Sequence, residues 1–122
     1  MVKNTSTTQK LYINSIWLSS DVETRAVIHC PTTEFTDAGT SVTGVNWNRT
    51  SGNVAAATAT RDETGNSQGD IVWTGEIAIL GEPYVVRMHD AIVLGQGDSI
   101  GVDYVANAGA CDVVIFGFFD VE

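Results

Sequence analysis

Apolar residues in this chain recur at every second position and rarely at three- and four-residue spacing, a pattern that builds strands and gives a helix no stripe to bury. In 71–80, Ile71, Trp73, Gly75, Ile77 and Ile79 form one face opposite Val72, Thr74, Glu76, Ala78 and Leu80. The same period predicts a strand over 10–19, with Leu11, Ile13 and Ser15 on one side and Tyr12, Asn14, Ile16 and Leu18 on the other. Strands are expected at 24–30 and 42–48, separated by Pro31 and a polar loop. Residues 50–68 are rich in Ser, Gly, Asn, Ala and Thr and read as a surface crossing. Short strands at 84–88 and 91–94 flank His89 and Asp90, the Gly95-Gln96-Gly97-Asp98 turn leads into 99–106, and a nearly continuous apolar run at 111–119 predicts a central strand covered on both faces. About eight strands at short spacing predict an all-β, antiparallel β-sandwich of jelly-roll type, with a closed barrel as the runner-up.

A chain of 122 residues supports one core, so 10–122 is expected to be a single domain, preceded by an N-terminal arm over 1–9 that is flexible or ordered on a partner. The formal charge of -9, from 15 acidic and 6 basic residues, argues against phosphate-based nucleic-acid binding and fits docking on a basic surface. No apolar run is long enough for a membrane span or a signal peptide, so synthesis and retention in a cytoplasm are expected, the two N-x-S/T sequons read as chance, and Cys30 and Cys111 read as buried thiols.

The candidate chemical constellations fail on spacing or setting. His29 and His89 each stand alone, without the H-x-H and Glu of a cupin, so no metal or other cofactor is expected. Cys30 and Cys111 lie in apolar runs with few cations nearby, an unfavourable place for a nucleophilic thiolate, even if they met His29 in space. Gly95-x-Gly97-x-x-x-Gly101 joins two strands instead of leading into a helix and reads as a β-turn. Asp21, Glu23, Asp98 and Asp103 sit in or next to turns, and the Arg61-Asp62-Glu63-Thr64-Gly65-Asn66 loop lacks calcium-loop spacing. Trp17, Trp47, Trp73, Tyr12, Tyr84 and Tyr104 fit core or subunit-interface packing better than a sugar-stacking platform. No catalytic activity is expected.

The segment from Val45-Asn46-Trp47-Asn48-Arg49-Thr50-Ser51-Gly52-Asn53-Val54 through Ala55-Ala56-Ala57-Thr58-Ala59-Thr60, followed by Asp62-Glu63-Thr64-Gly65-Asn66, resembles a segment of small β-rich virion proteins of tailed bacteriophages. The Gly95-Gln96-Gly97-Asp98-Ser99-Ile100-Gly101-Val102 turn and the Val114-Ile115-Phe116-Gly117-Phe118-Phe119 strand are similar to that group as well, and the likeness spans about half of the chain. Trp47 departs from it, standing where such segments carry an aliphatic residue. The G-D-x-I-x-V and F-x-F-F patterns also resemble the trimeric jelly-roll heads of the complement-C1q and tumour-necrosis-factor type. The resemblance implies a capsid decoration or cement protein on the surface of the virion, made in the host cytoplasm. Its implied partners are the major capsid protein and its own copies, as a homotrimer, with no nucleic acid and no membrane. A glycan- or receptor-binding head domain of a tail or head fibre is the alternative. Arg25, Trp47, Arg49, Arg61 and Arg87 are the candidate interface residues, because cations are few in this chain and Arg and Trp are enriched at interfaces.

Overall fold

The computed structural model describes residues 1–31, 39–47, 50–61, 68–105 and 109–120. Nine strands run β1 (Val2–Asn4), β2 (Leu11–Ser20), β3 (Thr24–Cys30), β4 (Thr40–Val42), β5 (Ala57–Arg61), β6 (Asp70–Ile77), β7 (Tyr84–Leu94), β8 (Ser99–Tyr104) and β9 (Cys111–Phe119). They form two antiparallel sheets, one ordered β4-β5-β1-β8-β3-β6 and the other β7-β2-β9, packed as a sandwich. β2 pairs with β9 while β3 pairs with β8, so the antiparallel β-sandwich that was expected joins strands distant in sequence. No helix occurs among the described residues, hence none long and apolar enough to cross a membrane.

The core lies between the sheets and is built from Leu11, Ile13, Ile16 and Leu18 of β2, Ala26 and Ile28 of β3, Ile77 of β6, Val86 and Leu94 of β7 and Ile100 of β8. Strict alternation along β2 would have sent Ile13 and Ile16 to opposite faces. A bulge between Ile13 and Ser15 resets the period, so that all four aliphatic residues reach the core. Both neighbours accommodate the extra residue. β7, expected as two short strands, is one strand in which His89 and Asp90 take left-handed backbone conformations (φ 50 and 59), and Asp90 Oδ1 accepts a hydrogen bond from Asn14 Nδ2 at 3.2 Å. β9 places Gly117 opposite Ile13, where a Cβ would come within 2.6 Å of the Tyr12 carbonyl oxygen.

Three further differences have local causes. β5 forms within the stretch expected as a surface crossing, because the small side chains of Ala57-Thr58-Ala59 fit beside β1. The strand expected over 42–48 does not form beyond Val42, with 43–47 irregular, and the three-residue β4 falls instead at the end of the expected polar loop. Residues 1–9 are not an arm: β1 lies between β5 and β8, and the Met1 amino group donates to the Thr60 carbonyl at 2.7 Å.

Asn4 fastens that strand. Its fully buried side chain donates to the carbonyls of Leu94 (2.9 Å) and Gln9 (3.0 Å) and accepts from the Ser6 N–H (2.8 Å). Its backbone also bonds Gly97 and Asp98. Asn4→Ala would orphan three buried backbone groups, and a loss of about 3 kcal/mol is expected in urea unfolding, since each unsatisfied group costs roughly 1–3 kcal/mol. Gly117→Ala is expected to cost about 2 kcal/mol in the same measurement, as overpacking against backbone does.

Candidate interaction surface

The three-stranded sheet is apolar on both faces. Because the β2 bulge assigns Leu11, Ile13, Ile16 and Leu18 to the core, Tyr12 and Trp17 point outward. β9 sets Phe118 beside Tyr12 and Val114 beside Trp17, and β7 sets Val93 and Val85 beside the same two residues on the other side. The rings of Tyr12 and Phe118 stack at 5.2 Å, and Trp17 leans on Phe116 at 5.5 Å. Trp47, from the loop between β4 and β5, stands edge-on against Phe116 at 4.8 Å. Exposure at this face is high for such residues: 73% for Trp47, 49% for Phe118, 47% for Val114 and 41% for Trp17. Large aromatic and branched side chains grouped in this way on a surface mark a contact site.

Of the residues expected at an interface, Trp47 belongs to this surface and Arg87, exposed on β7 next to buried Val86, lies at its edge. Arg25 sits instead on the six-stranded sheet, its Nε donating to Thr74 Oγ1 at 3.1 Å, and Arg61 is exposed at the end of β5 in the same sheet. Arg49 and residues 62–66 of the loop that lacks calcium-loop spacing lie outside the described residues. Tyr12, Trp17, Val114, Phe116 and Phe118 were not singled out as a group, because unbroken alternation in β2 put Tyr12 on the side of Ile16 and Leu18. The signal available was the apolar run of β9. It correctly indicates two apolar faces, yet β9 is an edge strand with its outer face exposed and not a central covered one.

Elsewhere the polar groups serve the fold. His29 is buried in β3, its Nε2 lying 3.4 Å from Asp103 Oδ2, and neither ring nitrogen has a hydrogen-bond partner among the described residues. A Cβ at Gly101 would lie 3.1 Å from that Nε2, so the glycine leaves room for the ring. His89 is exposed on β7 in the other sheet, so the two histidines do not converge as a cupin-like site demands. No group of three metal-ligating side chains occurs among the described residues. Cys30 and Cys111 are free thiols in different sheets. Cys30 borders an open cavity of about 540 Å³ together with Asp70 and Asp98, where burial first and then those carboxylates push its pKa up, opposite to what a thiolate nucleophile needs. Asp98 Oδ2 accepts from the Gly95 N–H at 2.9 Å and closes the expected β-turn, while Asp21 Oδ1 accepts from the Ala110 N–H at 2.8 Å.

Compared with family models, curated proteins and solved structures, the chain finds no match.

Tyr104 ties the sheets together behind the aromatic surface, its hydroxyl lying 2.8 Å from the Asp112 carbonyl of β9 and 3.3 Å from the Ser19 carbonyl of β2. Burial, reinforced by neighbouring Cys111, pushes its phenol up to about 12. An unfolded tyrosine titrates near about 10. The folded state therefore favours the neutral phenol, and its contribution is complete below pH ~10 and lost as pH rises towards ~12. Unfolding followed by circular dichroism across this window is expected to show stability falling with pH. Tyr104→Phe is expected to flatten that decline and to cost about 1 kcal/mol at neutral pH through the lost hydrogen bond.

Proposed function

We propose that the protein is a structural virion component, a decoration or cement protein that binds the outer shell of a tailed phage as an oligomer and stabilises it. The observation that carries this reading is the exposed aromatic face of β7-β2-β9, kept uncovered on an acidic chain that has ample charge with which to cover it. Trp47, which stands against Phe116, extends this face from the position at which the chain departs from the virion-like segment. A shell protein is the proposed occupant of the face, and the net charge of -9 suits a basic partner. The location that follows is the capsid surface.

The glycan-binding reading draws on one feature, the exposed ring of Trp47 beside Trp17 and Phe116, which a sugar could stack on. A glycan array probed with the purified protein at high concentration tests it, and an empty array removes it.

For the leading reading, shells assembled from the major capsid protein of the same genome are heated with and without the protein. The melting temperature is expected to rise, because a ligand at ~100 times its Kd stabilises its target by about 2.7 kcal/mol. Trp47→Ala is expected to weaken shell binding about tenfold or more, as loss of an interface tryptophan does. Shells that melt at the same temperature with and without the protein would overturn the proposal.

A further inference from the structure

The cavity of about 540 Å³ opens where the end of β3 and the start of β6 meet β7 and the turn into β8. Its size falls within the roughly 300–1,000 Å³ of small-molecule sites. Residues 91–94 of β7 give it an uncharged wall, Asp70 and Asp98 border it, and among the described residues no lysine, arginine or histidine does. Asp70 pairs directly with Cys30, so the two share a face, the one on which Cys30 packs against the core. The Asp70 carboxylate has no hydrogen bond or ion pair among the described residues. Asp98 is held by its turn, Oδ2 accepting from the Gly95 N–H at 2.9 Å, which leaves Oδ1 open.

A third polar group borders the same space. Ser99 is only 9% exposed, yet its hydroxyl has no hydrogen-bond partner among the described residues and is not sealed in the interior, so the cavity is what it faces. Buried polar groups are normally satisfied, and one left open at a cavity marks a place for a ligand. An inward carboxylate also protects the β6 edge from pairing, but that role requires neither Asp98 nor the open hydroxyl. These groups do not gather closely enough to ligate a metal ion. A larger cation with an apolar part matches both the wall and the charge.

We propose that this cavity binds an organic cation, an alkyl-ammonium or alkyl-guanidinium group whose chain lies along residues 91–94 and whose charged end meets Asp70 and Asp98, with the Ser99 hydroxyl accepting a further hydrogen bond. Long cationic side chains behave in this way, laying the stem on apolar surface and the head against carboxylates. Burial first, and then Asp70 and Asp98, raise the Cys30 pKa, so both negative charges act at one place in the cavity. The site stands on the cavity alone. The cement reading bears only on the source of the cation, a lysine or arginine of the shell protein or a free amine.

Agmatine, a guanidinium and an amine on a short alkyl chain, is titrated into the isotopically labelled full chain and followed by amide NMR. Saturable shifts at Cys30, Asp70, Asp98 and Ser99 are expected, absent with butanediol at the same concentration and with NaCl at the same ionic strength. Asp70→Asn, and Asp98→Asn, which keeps an oxygen for the Gly95 N–H, should each weaken binding about tenfold, as loss of a charge-assisted contact does. Glu76→Gln removes the same charge from the same strand outside the cavity and should leave binding unchanged. No shifts at these four residues, equal shifts with butanediol or NaCl, or a loss in Glu76→Gln as large as in Asp70→Asn would each overturn the inference. Shells identify the source: an Asp70→Asn protein that stabilises them less than wild type assigns the cation to the shell protein, and equal stabilisation with agmatine binding lost assigns a free amine. A protein that binds agmatine and leaves shells unaffected would sink the cement reading and spare the cavity. One that stabilises shells and ignores agmatine would do the reverse.

Discussion

The β2 bulge is the constraint on which the rest of the sandwich depends. One extra residue at Asn14 lets Leu11, Ile13, Ile16 and Leu18 share a single face, and without it either the first or the second half of the strand would present its aliphatic side chains to water. The neighbours are shaped around it: Gly117 of β9 has no side chain where the Tyr12 carbonyl approaches, and β7 turns through two left-handed residues to keep pace. The same slip that completes the core turns Tyr12 and Trp17 outward, so the interaction surface is the counterpart of the core and not a separate addition. A change that relaxed the bulge would disturb both.

Much of the architecture is legible in residue order. The strands at 24–30 and 111–119 have the boundaries their composition indicates, and the Gly95 to Asp98 turn forms as its glycines and aspartate suggest. The two-sheet, all-β organisation follows from period-two patterning in the absence of helical stripes. What could not be read is what depends on partners distant in sequence. β5 is made of alanine and threonine that show no strand-like apolar pattern of their own, and its identity as a strand comes from β1 and β4 on either side. The residues before β2 look like a polar arm until Asn4 is seen to bond carbonyls five and ninety positions away. Of the five interface candidates, Trp47 and Arg87 fall on or beside the aromatic face, while Arg25 and Arg61 fall on the other sheet. Scarcity of cations is too weak a signal to locate a face.

Charge and apolar surface are partly segregated along the smaller sheet. Carboxylates are scattered over the chain, while residues 113–119 of β9 carry no charge. Two polar side chains brace the fold: half-buried Tyr104 clamps the Ser19 and Asp112 carbonyls and buried Asn4 fastens the N-terminal strand. Rigidity behind the surface means that docking need not be accompanied by large ordering costs.

The strand order also has a kinetic consequence. β2, the centre of the smaller sheet, has its partners in β7 and β9, and β1 has its partners in β5 and β8, so these strands pair with others far along the chain. Such distant pairings fold slowly, typically in milliseconds to seconds, because loop closure precedes the reward of burial. The aliphatic side of β2 is therefore completed only once β7 and β9 have paired with it. Before that pairing is complete, a copy's β9 can fill the place beside another copy's β2, making strand exchange the characteristic misassembly of this topology.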